Sequence, residues 1–466
     1  MALYKKTPVL FIVMEFPPVN TTGNFRSLKF IKYLSQFGIE PIVITLIAGE
    51  AAKIFNAKID HKLLNEIPKD CSIYRIHCSE EKKLVLPKKL GKFIRIYFSI
   101  KDSLASRWKP HLFKEINAIV KKHNPKLIYT SLPPFSCGML ANQISKKFDI
   151  PYLIDMRDLW SFFGSSPLPS RLHYWLLLRE ENKIYSKASK VIGVTPQMVK
   201  ILKKENPKID PAKFEYISNG FDVNINTLNN FKFHSKNGKV IIGYIGSFYY
   251  EPKARGNSLK PWWKKRGHNM LQYIPTKQDW LYRSPYFFLK SIAEIISRFP
   301  AIGNTIEIEF IGKPNQWLDD MIVGFGLQDK VTSHGFVTYG KSIDLQKRWD
   351  LVLTTAEKVI DGEHYCLPSK IFDYVALNKP ILGFVTNGIQ KQFIKESGLG
   401  IICDPDNINE AVLSIVNLLT NGKEFQPNTE YLNKFHRKYL AKKLANILNG
   451  LVEIPEVKYT TKISIL

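Results

Sequence analysis

The stretch VLFIVMEFPPVNTTGNFRSLKFIKYLSQFGIEPIVITL, residues 9–46, decides the fold class of the chain. Its apolar run 9–14 predicts a buried strand, and residues 40–46 predict a second one. Between them, apolar side chains recur at helical spacing over residues 24–37, and Gly38 marks the end of that helix. A strand, a helix and a second strand form a βαβ unit, whose parallel strands need a right-handed crossover. The sequence therefore predicts an α/β fold.

The same alternation continues along the chain. We predict further strands at 127–130, 152–155, 191–194, 214–217, 239–245, 305–311, 351–354 and 380–385. We predict helices at 136–148, 170–188, 285–299, 369–377, 409–419 and 430–448. Two such series predict two Rossmann-like, doubly wound domains that face each other across a cleft, with ligands beyond the carboxyl ends of the strands. The expected division is an N-terminal domain at 1–225, a linker at 226–238, a C-terminal domain at 239–425 with an insertion at about 249–284, and a helix and tail at 426–466 that pack back on the N-terminal domain.

The charge of the chain indicates an anionic partner. Its 466 residues include 67 Lys and Arg against 41 Asp and Glu, a net charge of +26. Such an excess attracts phosphorylated substrates, anionic lipid headgroups or nucleic acid, although it is also compatible with a solvated basic surface. No nucleic-acid-binding motif accompanies the charge, so we expect no nucleic acid as partner.

The cysteines and the apolar runs indicate the compartment. The five cysteines are scattered and lack CxxC spacing, which disfavours disulfides and a zinc site and favours a reducing compartment. No signal peptide and no run of 18 apolar residues is found. We therefore expect a cytoplasmic protein that can bind peripherally to the inner face of the membrane.

Two motifs in the first half place polar groups where a ligand would bind. Gly23, between the first strand and the first helix, allows a close backbone approach, and the helix N-terminus offers N–H groups to an anion. Arg157 and Asp158 directly follow a predicted strand. Arg157 suits a phosphate, and Asp158 suits a hydroxyl or the role of a base. The alternatives are an ordinary loop at Gly23 and an Arg–Asp pair that closes a helix start.

The second half carries the stronger signal. Gly246 and Ser247 end its first strand and leave room for a phosphate. Ser369 is a candidate N-cap, which puts Lys370 in the first helical turn, where a cation opposes the helix dipole. An anionic ligand would explain that lysine, and Asp373 lies one turn later as a candidate for a ribose diol. The alternative is an ordinary surface pair of Lys370 and Asp373.

These motifs, in their order, resemble the GT-B glycosyltransferases, specifically the family 4-like enzymes that build bacterial surface polysaccharides. The resemblance spans nearly the whole chain. It rests on the motifs FPPxxxxGxxR at 16–26, TSLPPFS at 130–136, IPYLIDMRDLW at 150–160, SNGFD at 218–222, YIGSF at 244–248, PSKIFDYVALNKPIL at 368–382 and SGLGIICDPDN at 397–407. It implies transfer of a sugar from a nucleotide diphosphate donor, usually with retention and without a bound metal, the acceptor on the N-terminal domain and the donor on the C-terminal one.

The resemblance also implies residue roles. Lys370 and Arg283 are expected at the diphosphate as catalytic cations, and Asp373 stands where the family usually has a ribose-binding glutamate. Gly23 is expected to approach the phosphates or the sugar, and Ser247 to lie near the diphosphate. Arg157 and Asp158 are expected near the reacting centre, as catalytic residues.

The chain departs from the family pattern at three places. Tyr365 occupies the position of the first glutamate of the family's paired-glutamate motif, with Glu363 close by as a candidate donor ligand. Arg157 stands where many members carry a histidine. The stretch 249–284 is an insertion.

Two segments combine cations with aromatic side chains: the insertion 249–284 and residues 82–109. Such mixtures suit an anionic membrane surface, an anionic acceptor or nucleic acid. We favour the membrane, and an amphipathic basic helix over 82–109 would lie on one. A solvated helix face is the alternative.

The expected function is transfer of a sugar from a UDP- or GDP-sugar to a lipid-linked or polysaccharide precursor, with no metal or other cofactor. A nucleotide-sugar epimerase or hydrolase of the same fold, or a non-catalytic nucleotide-sugar or nucleic-acid binding protein, are the alternatives.

Overall fold

The computed structural model of the chain describes residues 6–81, 102–162, 167–233 and 238–453. Its first half forms a seven-stranded parallel sheet in the order β5-β3-β1-β6-β7-β8-β9, and β2 and β4 form a short antiparallel pair beside it. The strands are β1 Thr7–Ile12, β2 Val19–Asn20, β3 Ile39–Leu46, β4 Lys58–Ile59, β5 Ser72–Ile76, β6 Leu127–Leu132, β7 Tyr152–Met156, β8 Lys190–Gly193 and β9 Phe214–Tyr216. The helices are α1 Thr22–Leu34, α2 Ala48–Ile54, α3 Leu104–His123, α4 Ser136–Phe148, α5 Arg171–Lys187 and α6 Pro196–Glu205.

The second half forms a six-stranded parallel sheet in the order β14-β13-β11-β15-β17-β18. The strands of this half are β10 Phe231–Phe233, β11 Val240–Ile245, β12 Gln278–Asp279, β13 Ile306–Ile311, β14 Val331–Ser333, β15 Leu351–Thr355, β16 Lys358–Val359, β17 Ile381–Phe384, β18 Gly400–Cys403 and β19 Lys423–Phe425. The helices are α7 Pro252–Leu259, α8 Tyr286–Arg298, α9 Pro300–Gly303, α10 Gln316–Gly324, α11 Tyr339–Arg348, α12 Lys370–Ala376, α13 Ile389–Ser397, α14 Ile408–Asn421, α15 Thr429–Asn433 and α16 Arg437–Glu453. Two parallel sheets confirm the predicted α/β architecture.

Helix α1 shows how local sequence sets an element. The Thr21 hydroxyl accepts a hydrogen bond from the Asn24 backbone N–H at 3.2 Å and caps the N-terminus. The apolar stripe of the helix, with Leu28 and Ile31 fully buried, packs on the sheet. This packing fixes the loop between β1 and α1 at the carboxyl edge of the sheet.

The last helix returns to the first domain. In α16, Leu440, Leu444 and Leu448 are buried in the same apolar cluster as β1 and α1. The prediction of one helix over 430–448 is wrong, because the chain breaks between α15 and α16. At the break, Phe221 exchanges backbone hydrogen bonds with Phe435 and Arg437, of 3.1 and 2.9 Å.

Part of the predicted linker belongs to a strand pair. Within 226–238, β10 pairs antiparallel with β19, so Phe231 lies opposite Phe425. The two aromatic rings stack with centroids 5.3 Å apart. This pairing attaches part of the connecting segment to the C-terminal domain.

Candidate active site

A cavity of about 670 Å³ lies between the two domains. Arg157, Asp158 and Val194 line it from the N-terminal domain, and Arg283 and Glu357 line it from the C-terminal domain. These residues follow β7, β8 and β15 or precede α8, so the cavity lies beyond the carboxyl ends of the strands, where α/β sheets bind ligands.

On the N-terminal side, Arg157 forms an ion pair with Glu15, Nη2 to Oε1 at 2.8 Å, and donates a second hydrogen bond to the Pro133 carbonyl. Gly23 faces this pair. A Cβ at Gly23 would lie 2.0 Å from Arg157 Nη1 and 2.2 Å from Glu15 Oε1. Other atoms therefore do approach Gly23 closely, but they belong to the Arg157 and Glu15 side chains.

Asp158 is half-buried at the edge of the cavity. Burial raises the pKa of its carboxyl, while Arg157 and Arg283 act in the opposite direction. The two arginines belong to different domains, so the structure brings together three of the predicted catalytic residues.

Three of the motifs quoted from the first half of the sequence also meet inside the N-terminal domain. The buried Arg26 guanidinium makes two hydrogen bonds of 2.7 Å to the Asp155 carboxylate and donates to Asn219 Oδ1 at 3.1 Å. Tyr129 donates its hydroxyl to Asp155 at 2.6 Å. The arginine of FPPxxxxGxxR thus ties the first loop to two other motifs and does not face the cavity.

On the C-terminal side, Arg283 pairs with Glu357, Nη1 to Oε2 at 3.0 Å. Its guanidinium also lies over the ring of Tyr249, 4.8 Å from the centroid. The Arg283 charge holds the pKa of the buried Glu357 carboxyl well below its usual range, against the effect of burial. His364 Nε2 lies 3.3 Å from Glu357 Oε1, without hydrogen-bond geometry.

A second, small cavity adjoins the first one. Arg283, Glu357 and Cys366 line both cavities, whereas Lys370 and His364 line only the small one. The Lys370 ammonium lies 3.4 Å from the centroid of the Tyr244 ring and has no ion-pair or hydrogen-bond partner among the described residues. Burial, and then the charge of Arg283, lower the pKa of Lys370 well below its ordinary value.

Gly246 lies directly beside this lysine. It adopts φ +117°, in the left-handed region, and a Cβ there would be 3.7 Å from the Lys370 ammonium nitrogen. Ser247 follows, and its carbonyl accepts a 3.4 Å hydrogen bond from the Tyr244 hydroxyl. The structure therefore brings Gly246, Ser247, Arg283 and Lys370 together.

Three other residues were predicted to contact the donor: Asp373, Ser369 and Glu363. Asp373 is half-buried on α12 and lines neither cavity; burial raises the pKa of its carboxyl to about 6, with the Arg437 charge acting against it. Ser369 occupies the N-cap position of α12, but the prediction that its side chain caps the helix is wrong, because its backbone is helical and its hydroxyl makes no capping bond. Glu363 is exposed and lines neither cavity, so the structure does not bring it to Arg283 and Lys370.

Sequence reasoning missed Glu357, which lies at the centre of the site. It follows β15 within two residues, so the rule that selected Arg157 and Asp158 could have found it. No group of three or more His, Cys, Asp or Glu side chains in the described ranges is arranged to hold a metal ion.

The insertion lies against the site. Its residues Asn257, Gln272 and Trp280 line the large cavity. Tyr273 forms two backbone hydrogen bonds with Leu168 of the N-terminal domain, of 2.9 and 3.0 Å. Most of the other basic segment, 82–101, lies outside the described residues, and the rest leads into α3. Within the described part of the chain, we find no helix that combines the length and apolarity needed to cross a membrane.

Residues 28–225 match the model of a family described as Glycosyltransferase Family 4. No curated protein sequence matches the chain significantly. The chain is similar to the crystal structure of a glycosyltransferase from Rickettsia africae ESF-5, at 16% identity and a TM-score of 0.56, over 97% of this chain and 100% of that one.

Two further solved structures are similar to the chain over nearly its whole length. The apo form of the lipopolysaccharide outer core galactosyltransferase WaaB has 12% identity and a TM-score of 0.54, over 95% of this chain and 99% of that one. A sucrose-phosphate synthase from Thermosynechococcus elongatus has 14% identity and a TM-score of 0.54, over 96% of each chain. The chain therefore has the GT-B fold, and within it residues 28–225 are similar to Glycosyltransferase Family 4.

Proposed function

We propose that the protein transfers a sugar, with retention at the anomeric carbon, from a UDP- or GDP-sugar to a lipid-linked or polysaccharide precursor. One observation carries the proposal: the partly buried Lys370 side chain lines the small cavity that adjoins the domain cleft, beside Gly246 and Arg283, with no acidic partner in the described residues. An unpaired buried charge is costly, and a diphosphate would supply the missing counter-charge.

The chemistry follows from this placement. As the bond between the anomeric carbon and the phosphate oxygen breaks, its electron pair stays on that oxygen, where Lys370 and Arg283 stabilise the charge. The acceptor hydroxyl forms the new bond on the same face and gives its proton to the departing phosphate oxygen. Asp158, opposite Arg283, orients this hydroxyl. We assign Asp373 to the ribose diol of the donor.

The precursor is proposed to be presented at an anionic membrane. Large apolar side chains are exposed where the insertion meets α5, including Trp175, at 54% exposure, and Leu271, at 62%. Basic side chains, such as Arg171 over the Tyr273 ring, accompany them. Aromatic and cationic side chains together favour a membrane interface.

A thermal-shift screen with UDP, GDP, ADP, dTDP and their sugars tests the donor. Because a ligand that binds only the folded state at about 100 times its Kd stabilises it by about 2.7 kcal/mol, the matching donor raises Tm clearly. Product analysis with that donor alone then separates a transferase from an epimerase or hydrolase, which would convert the sugar without an acceptor. Rapid conversion of donor alone, or no shift with any nucleotide, would refute the proposal.

A further inference from the structure

Segment 249–280, here called the cleft wall, forms most of one side of the large cavity. It is fixed to both domains. Tyr273 pairs with Leu168 of the N-terminal domain, and Gln278 pairs with Val359 of the C-terminal domain. The cleft wall is therefore held in place as a surface for whatever enters the cavity.

The chemistry of the cleft wall differs from that of the diphosphate region. Its cavity-lining side chains include amides, a hydroxyl and an aromatic ring: Asn257, Ser258, Asn269, Gln272, Gln278 and Trp280. The charge of Arg255 is neutralised by Asp279, through two hydrogen bonds of 2.6 and 2.7 Å. Lys277 adds one basic side chain to the cavity lining. In a chain of net charge +26, the other polar side chains of this surface are mainly neutral hydrogen-bonding groups.

Gln278 points to an absent ligand. It is only 4% exposed, it lines the cavity, and its amide nitrogen has no hydrogen-bond partner among the residues that the structure describes. Buried polar groups are normally paired, so an unpaired donor at a cavity calls for an acceptor oxygen from a ligand.

We propose that the cleft wall is a subsite for the terminal sugar of the acceptor, a neutral polyhydroxyl ligand bound by amide groups. The proposal rests on the proposed function. Lys370 lines only the small cavity, whereas Arg283 and Glu357 line both cavities. A diphosphate bound by Lys370 and Arg283 would therefore lie at the boundary between the two cavities. The large cavity would be left for the sugars. A cavity of about 670 Å³ is within the size range of small-molecule sites.

The test measures binding of methyl glycosides of glucose, galactose, mannose and N-acetylglucosamine to the full chain by saturation-transfer NMR, with and without the nucleotide found by thermal shift. We expect at least one glycoside to bind. Gln278→Leu should weaken that binding by about tenfold or more, because a leucine cannot donate to the sugar. The exposed Gln316, on α10, provides the matched control variant Gln316→Leu, which should bind as the unmodified chain does.

Gln272→Leu is the second variant, and it decides the question if Gln278→Leu does not fold. Absence of binding by all four glycosides, or equal binding by the cleft-wall variants and the unmodified chain, overturns the subsite. The nucleotide shift is recorded in the same samples. A normal nucleotide shift without glycoside binding refutes the subsite alone, whereas loss of the nucleotide shift refutes the proposed function.

Discussion

Replacing Lys370 by methionine should abolish most of the activity without unfolding the protein. Methionine keeps an unbranched side chain against Tyr244 and removes only the charge. At a distance of about 4 Å from a phosphate oxygen and an effective dielectric constant of about 20, that charge is worth about 4 kcal/mol. Loss of one charge-stabilising group in enzymes typically costs about 2.7–4 kcal/mol, so we expect kcat to fall by about 10²–10³.

The assay is release of nucleoside diphosphate from the donor in the presence of acceptor, with circular dichroism and Tm as measures of folding. Lys341→Met is the control, because Lys341 is exposed on α11 and away from the cavity lining. If Lys370→Met retains its Tm and its kcat stays within about threefold of that of the unmodified chain, the placement of the diphosphate is refuted. Such a ratio corresponds to less than about 0.7 kcal/mol.

Three further variants test other parts of the structure. Because the pKa of Asp373 is raised to about 6, the donor KM should fall as pH rises from about 5 to about 7 and the carboxylate forms, and Asp373→Asn should flatten this dependence. Gly23→Ala should displace the Arg157–Glu15 pair and lower kcat. The loss of Tm should be small, because the new methyl group meets only the ends of two side chains and alanine is favoured at a helical position. An unchanged kcat would contradict a role for the pair. Gly220→Ala should lower the free energy of unfolding, measured by urea titration, by about 1–3 kcal/mol, because its Cβ would lie 1.9 Å from the Phe435 carbonyl oxygen. An unaltered urea midpoint would contradict this contact.

Periodicity was enough to predict most of the fold. The helix predicted at 136–148 has these bounds in the structure, as α4, and the strands of both sheet centres lie within about two residues of their predicted positions. Local pattern could not show the break before α16, because residues of α15 and α16 have continuous helical character. The break depends on Phe221, more than 200 residues earlier in the chain.

The site was partly predictable for one physical reason: in parallel sheets, residues that follow strands meet at one edge. By this rule Arg157 and Asp158 were expected at the cleft, and both line the large cavity. The rule could not distinguish a charge that faces the cleft from one that is paired inside the domain. Asp155, in the same motif as Arg157, forms a buried pair with Arg26.

The insertion shows a further limit. Its mixture of basic and aromatic residues predicts a surface that binds a membrane, yet several of its side chains line the cavity. The pairing of Leu168 with Tyr273 brings it there. Composition shows which side chains a segment contains. Where those side chains lie depends on contacts with residues that are distant in the sequence.

The return of α16 to the first domain has a consequence for biosynthesis. A ribosome that has just completed β9 has made every strand of the first sheet, but not the helix that covers its apolar face beside α1. That face stays exposed to solvent or to a chaperone until more than 200 further residues have been translated. Separating the two halves of the gene at the linker would make this transient exposure permanent.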